Sequence, residues 1–165
     1  MNDLILRKIK KIKIFIMDVD GTLTDGTIIM DSNGIESKHF NVKDGMGITL
    51  AHKAGMLTGI ISARKSEIVS RRAQELNITY VKQGVSDKLA ALYEILNETG
   101  FEKEEAAFIG DDINDISCCN EVGLSLAVSD AADELKEIVN YILSKEGGKG
   151  AVREAVELIL KNKEL

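Results

Sequence analysis

Five apolar runs punctuate the chain, at about 12–18, 57–61, 79–82, 106–109 and 124–127, and each reads as a strand. Between them lie segments of helical period at about 44–55, 65–76, 86–100, 112–121, 131–138 and 150–162. Gly55, Gly100 and Gly123 fall where helices should end, and Ser86 is placed to cap the start of another. Strands alternating with helices imply a parallel sheet in a doubly wound α/β fold. One segment, at about 26–41, breaks the alternation. There Asn33-Gly34 sits between the strand-prone arms Thr27 to Met30 and Ile35 to Asn41, a strong hairpin signal. The hairpin is too small to be a lid domain. No repeat, linker or low-complexity tract interrupts residues 1–165, so one domain is expected, closing with a glycine-rich tail and helix at about 145–162.

The chemistry concentrates directly behind the first run, in Asp18-Val19-Asp20-Gly21-Thr22. A strand that stops at Asp-x-Asp leaves its first carboxylate at the sheet's carboxyl edge, and the Gly-Thr that follows lets backbone amides turn toward an anion. Two acids facing a bound anion need a cation between them, which suggests a Mg²⁺-dependent phosphoryl-transfer site with an aspartate nucleophile. The bland alternative is a solvated turn, because Asp and Gly dominate turns. Three further positions favour the site. Ser62 follows the second run, Lys88 lies beyond the third, and Gly110-Asp111-Asp112-Ile113-Asn114-Asp115 follows the fourth. In an open parallel sheet, ligands bind outside the carboxyl ends of the strands, so these residues should converge.

Composition narrows the partners. With 27 acidic and 21 basic residues the net charge is −6, which argues against nucleic acid, whose backbone demands a basic face. The opening basic run of Arg7, Lys8, Lys10, Lys11 and Lys13 precedes an apolar segment far too short to span a bilayer, and no cleavage pattern follows. A cytoplasmic protein with no membrane partner is the expectation. Cys118 and Cys119 are adjacent, a spacing suited neither to a disulfide scaffold nor to the usual zinc sites, and they read as buried helix thiols. His39 and His52 show no ligand spacing, and Gly45-Met46-Gly47 lacks the third glycine of a dinucleotide fingerprint; these read as structural.

In order, Asp18-x-Asp20-Gly21-Thr22, Ser62, Lys88 and Gly110-Asp111-Asp112-x-x-Asp115 resemble the four motifs of the haloacid dehalogenase superfamily. The resemblance tightens to its small capless sugar-acid phosphatases, above all those acting on 3-deoxy-D-manno-octulosonate 8-phosphate. The closer match rests on Phe40-Asn41-Val42-x-Asp44-Gly45, Ser62-x-Arg64-Lys65, Gln83-Gly84-x-x-Asp87-Lys88-Leu89 and Gly147-Gly148-x-Gly150-Ala151-Val152-Arg153-Glu154. Ala63 and Thr22 depart from the pattern, which bears on the substrate more than on the chemistry.

The resemblance implies a superfamily-type Rossmann-like domain with a hairpin insertion and no cap. It implies Asp18 as nucleophile and Asp20 as the acid that protonates the leaving alkoxide and later deprotonates water. Mg²⁺ would be held by Asp18, Asp111 and the carbonyl of Asp20, with Asp112 and Asp115 orienting that shell. Lys88 would offset charge on the phosphoryl oxygens and the nucleophile, while Ser62 and the amides around Gly21 and Thr22 bond the same oxygens. Arg64, Lys65 and Arg72 are candidates for the sugar acid and Arg153, in the tail motif, for the substrate of a neighbouring subunit, although Arg72 reads equally well as a helix-surface partner of Glu67 or Glu75 and Arg153 as a surface charge. The hairpins of four subunits would associate, with the glycine-rich tail completing a neighbouring site. A nonulosonate 9-phosphate phosphatase is the alternative within the same chemistry. A receiver-like phospho-aspartate signalling module is the alternative of another class.

Overall fold

The first apolar run forms β1 (Ile14–Met17), all four of whose residues are buried. The computed structural model, which describes residues 3–163, sets β1 at the centre of a parallel sheet, between β4 (Leu57–Ser62) and β6 (Ala106–Gly110). The sheet extends through β5 (Tyr80–Gln83) on one side, and through β7 (Leu124–Ala127) and β8 (Tyr141–Ile142) on the other, in the order β5-β4-β1-β6-β7-β8. Helices α2 (Val42–Lys53), α3 (Glu67–Glu75), α4 (Lys88–Thr99), α5 (Ile116–Glu121) and α6 (Asp133–Ile138) alternate with the strands. The described chain opens with α1 (Asp3–Ile9) and closes with α7 (Ala151–Lys163), which packs on α2. The doubly wound α/β reading stands.

The register brings the motif residues together. Met17 lies level with Ile60 of β4 and Ile109 of β6, so Asp18, Ser62 and Asp111 leave the sheet within two residues of one line. Asp18 prolongs the ladder by donating its N–H to Ile109 O at 3.0 Å.

Three local features differ from the sequence reading, and the expected hairpin is present. The helix carrying Lys88 is capped by Asp87, whose carboxylate accepts from Ala90 N, and not by Ser86; both residues are good caps, and the start of the helix decides between them. Arg7 and Lys8 of the basic opening run lie in α1, whose Ile9 is buried in the core. β8 escaped notice because two residues carry no period. It is spliced on by Asn140, whose side-chain oxygen accepts from Ser125 N at 3.1 Å and whose N–H donates to Ser125 Oγ at 3.1 Å. The hairpin is present as β2 (Ile29–Met30) and β3 (Glu36–Ser37), and Asp31 organises its turn by accepting from the N–H groups of Asn33 and Ile35.

The glycine-rich tail packs within its own chain. Gly148 donates to Thr22 O at 2.9 Å, Asn41 Nδ2 donates to Gly148 O at 3.1 Å, and Gly147 donates to Asp130 Oδ1 at 2.9 Å. A Cβ on Gly147 would fall 1.8 Å from Gly21 O, so only glycine lets the tail lie against the loop that follows β1. Asp44 then accepts from Arg153 N at 2.9 Å, at the start of α7. Asn41 and Asp44 of the Phe40-to-Gly45 stretch therefore clasp the tail segment.

Candidate active site

Asp18 is 4 % exposed, at the floor of a cleft of about 200 Å³ lined by Asp18, Asp20, Ser62, Ala63, Arg64, Asp111, Asp112 and Asn114. Beneath it Lys88, buried at the first residue of α4, places Nζ 2.6 Å from both Asp18 Oδ1 and Asp115 Oδ1. Asp115 is fully buried, and its Oδ2 accepts from Asp111 N at 3.0 Å and Asp112 N at 3.3 Å. Both oxygens of Asp115 are thus engaged. Its task is to hold Lys88 and the Asp111 loop in place. Asp112 instead caps the 3₁₀ turn at Ile113–Asp115 by accepting from Ile113 N.

Carboxylate oxygens of Asp18, Asp111 and Asp115 lie within 4.8 Å of one another. Burial pushes Asp18 well above the usual carboxylate range, repulsion from Asp115 adds to this, and Lys88 opposes it. Asp111 is pushed up to about 6, first by burial, and it is placed to share a hydrogen bond with Asp18. Burial acts to lower Lys88, yet the charges of Asp18 and Asp115 outweigh it and hold the ammonium firmly protonated. Three crowded acids against one amine leave negative charge unbalanced. With Asp115 committed elsewhere, Asp18 and Asp111 offer hard oxygen donors, which fits a divalent cation such as Mg²⁺.

Gly21 makes that approach possible. Its φ is +95°, and a Cβ there would stand 2.0 Å from Asp111 Oδ2, so any side chain would displace the carboxylate. In this conformation its N–H donates to Thr24 Oγ1 at 3.3 Å. Thr22 is buried and reaches Asp111 Oδ1 through its hydroxyl at 3.4 Å, which makes it a support for the acid cluster.

Among the four basic candidates for the sugar acid, the fold brings Arg64 to the cleft. Lys65 is exposed beside Gly84 on the far side of that loop. Arg72 pairs with Glu75 at 2.8 Å and stands over the Phe40 ring, against the cavity that Asp44 and Leu76 also line. Arg153 pairs with Glu157 at 2.5 Å on α7. None of these three lines the cleft of its own chain. Cys118 and Cys119 are buried, as read from the sequence, and burial raises both thiols, that of Cys118 to about 12. His52 is structural too, with Nε2 2.7 Å from Thr58 Oγ1.

Two residues at the site escaped the sequence reading. Lys38, its side chain 3 % exposed, contacts Asp20 Oδ1, and Glu36 Oε1 lies 3.3 Å from Lys38 Nζ and 2.7 Å from Arg64 Nη2. The available signal was the spacing of two along the second hairpin arm, which puts Glu36 and Lys38 on one face of a strand.

A central parallel strand ending in an aspartate, a lysine bridging two acids and a cation cradle at the sheet's carboxyl edge define a phosphoryl-transfer hydrolase. Residues 80–155 match the haloacid dehalogenase-like hydrolase family, and the chain belongs to it. The 3-deoxy-D-manno-octulosonate 8-phosphate phosphatase of Escherichia coli strain K12 is 42 % identical over 156 residues, which cover 94 % of this chain and 83 % of that protein. The crystal structure of the Moraxella catarrhalis 3-deoxy-D-manno-octulosonate 8-phosphate phosphatase, in complex with magnesium, phosphate and KDO, is 43 % identical. It superposes with a TM-score of 0.96 over 99 % of this chain and 94 % of that one. The cobalt-bound form of the corresponding Haemophilus influenzae phosphatase is 39 % identical, with a TM-score of 0.92 over 95 % and 92 % of the two chains. A hydrolase family places this chain apart from receiver-like signalling modules.

Proposed function

We propose that this chain hydrolyses 3-deoxy-D-manno-octulosonate 8-phosphate to the free sugar acid and phosphate, with Mg²⁺ as cofactor. The observation that carries the reading is the Asp18–Lys88–Asp115 contact beside Asp111, in a chain matched over 94 % of its length by a phosphatase of that substrate. Asp18 attacks phosphorus in line, so that a carboxylate–phosphorus bond forms as the bond to the ester oxygen breaks. Asp20 gives its proton to the departing alkoxide, then takes one from the water that cleaves the aspartyl-phosphate. Lys88 and Ser62 face the phosphoryl oxygens. Asp18, Asp111 and the carbonyl of Asp20 would hold Mg²⁺, which would supply charge neutralisation for the anionic ester. Phosphate release from a panel of sugar-acid phosphates with Mg²⁺ tests the reading; preference for a nonulosonate 9-phosphate would overturn the substrate.

Arg64 is the residue proposed to receive the sugar acid's carboxylate, because a guanidinium pairs with it bidentately and because it stands at the cleft mouth, 42 % exposed. Arg64→Gln should lower kcat/KM for the sugar acid at least about tenfold more than for ethyl phosphate, an alkyl ester that needs the same proton but has no carboxylate. Equal losses on both would place Arg64 in the shared phosphate site.

We also propose a cytoplasmic homotetramer. Ile28, Met30 and Ile35 on the hairpin are each about 60 % exposed, an apolar surface suited to burial between copies. No helix among the described residues is long and apolar enough to cross a membrane. Sedimentation should give four chains per particle. A fully active monomer would overturn this.

A further inference from the structure

Lys38 is accounted for neither by the phosphoryl chemistry nor by assembly. Burying an ammonium is costly unless opposite charges surround it, and two carboxylates do so here: Asp20 Oδ1 in contact and Glu36 Oε1 at 3.3 Å. Arg64 completes a closed arrangement, with Nη2 2.7 Å from Glu36 Oε1 and Nη1 3.7 Å from Asp20 Oδ1. Two acids and two bases alternate, joining the loop after β1, the hairpin and the loop after β4. Both cations approach the same oxygen of Asp20, Oδ1. Oδ2 is left for a reacting group.

We infer that Lys38 is a positioning residue for Asp20, anchoring Oδ1 so that Oδ2 carries the proton to the ester oxygen and later accepts one from water. The inference rests on Asp20 being the acid. Lys38 rather than Arg64 is the anchor, because its side chain is 3 % exposed against 42 % for Arg64 and its contact with Asp20 is the closer. A carboxylate held at one oxygen cannot swing out of line, and alignment of the proton donor matters most for a leaving group that cannot depart as an anion. The hairpin thereby contributes to chemistry within its own chain.

Leaving-group dependence separates this role from a merely structural one. The test measures the pre-steady-state rate of phosphoenzyme formation by the Mg²⁺-loaded protein with ethyl phosphate, whose alkoxide needs a proton, and with p-nitrophenyl phosphate, whose phenolate does not. Lys38→Met should slow the ethyl ester at least about tenfold more than the aryl ester, while Mg²⁺ affinity by calorimetry stays within about twofold, since the charge removed lies on the acid and not on the cation's carboxylates. Equal slowing of the two esters, or lost Mg²⁺ binding in a folded variant, overturns the inference. If Lys38→Met loses its cooperative melt, Lys38→Gln decides instead. Its amide is polar but shorter than lysine and uncharged, so it cannot replace the ammonium's hold on Asp20; the same selective loss is expected and an unchanged ratio of rates is fatal. Asp20→Asn is the control. If it treats both esters alike, the assignment of Asp20 as acid has failed; if it discriminates and the Lys38 variants do not, only the role of Lys38 has.

Discussion

Asp18→Asn should reduce turnover on every phosphate ester by on the order of 10⁴-fold or more, because an amide cannot form the carboxylate–phosphorus bond on which both half-reactions depend. The substitution is nearly isosteric, so the fold should hold. Its amide oxygen can still accept from Lys88 Nζ, now 2.6 Å from Asp18 Oδ1. Stability should move the other way from activity. Asp18 has a folded-state pKa raised by burial and by Asp115, so its contribution to stability is present below its unfolded pKa and lost as pH rises through the folded value. Removing the charge removes that loss, and the metal-free variant should melt no lower than the parent at neutral pH. Phosphate release with saturating Mg²⁺, acid-quench labelling and thermal melts in chelator check these expectations. A labelled phosphoenzyme in the variant would rule out Asp18 as the nucleophile.

Asp18 and its cluster were legible in the sequence because they stand at strand ends, where one local rule fixes the position of a side chain. Asp18, Ser62 and Asp111 follow apolar runs that became β1, β4 and β6, and parallel register alone brings them to one edge. Lys88 follows the same logic from the start of α4. What spacing could not supply was the direction in which the excursions fold back. Glu36 and Lys38 lie on an arm of two-residue strands whose period is visible only in hindsight, and their approach to Asp20 depends on the trajectory of the whole hairpin. The glycine-rich tail illustrates the same limit. Its glycines mark close backbone approach, and the approach within the chain is to Gly21 and Thr22, which glycine spacing does not name. Lys65 and Arg72 were named for their charge and their place near the second strand, neither of which says which face of a helix or loop a side chain occupies. Arg64, adjacent to a strand end, is the one the fold carries to the cleft.

Lys88→Met tests the electrostatic logic of the whole centre. In the metal-free protein the ammonium is the charge that Asp18 and Asp115 both contact at 2.6 Å, and all three groups are buried. Removing one member of such a cluster leaves uncompensated buried charge, a change that typically costs about 3–5 kcal/mol. The sign of its pH dependence follows from Asp18. Without Lys88 its folded-state pKa rises further above the unfolded value, so the penalty is small where the carboxyl is protonated. The gap between variant and parent should then widen as pH rises from about 4 toward neutrality. Mg²⁺ should close part of that gap, because a cation bound by Asp18 and Asp111 stabilises the fold by mass action and now meets no competing ammonium. Turnover should not recover with it. The phosphoryl oxygens would still lack the lysine's charge, and activity is expected to stay at least about 10²–10³-fold down. Chemical denaturation across pH, with chelator and with Mg²⁺, reads the first effect, and phosphate release at saturating Mg²⁺ reads the second. A variant as stable as the parent in chelator at neutral pH, or within tenfold of its turnover, would show that Lys88 does not balance this cluster.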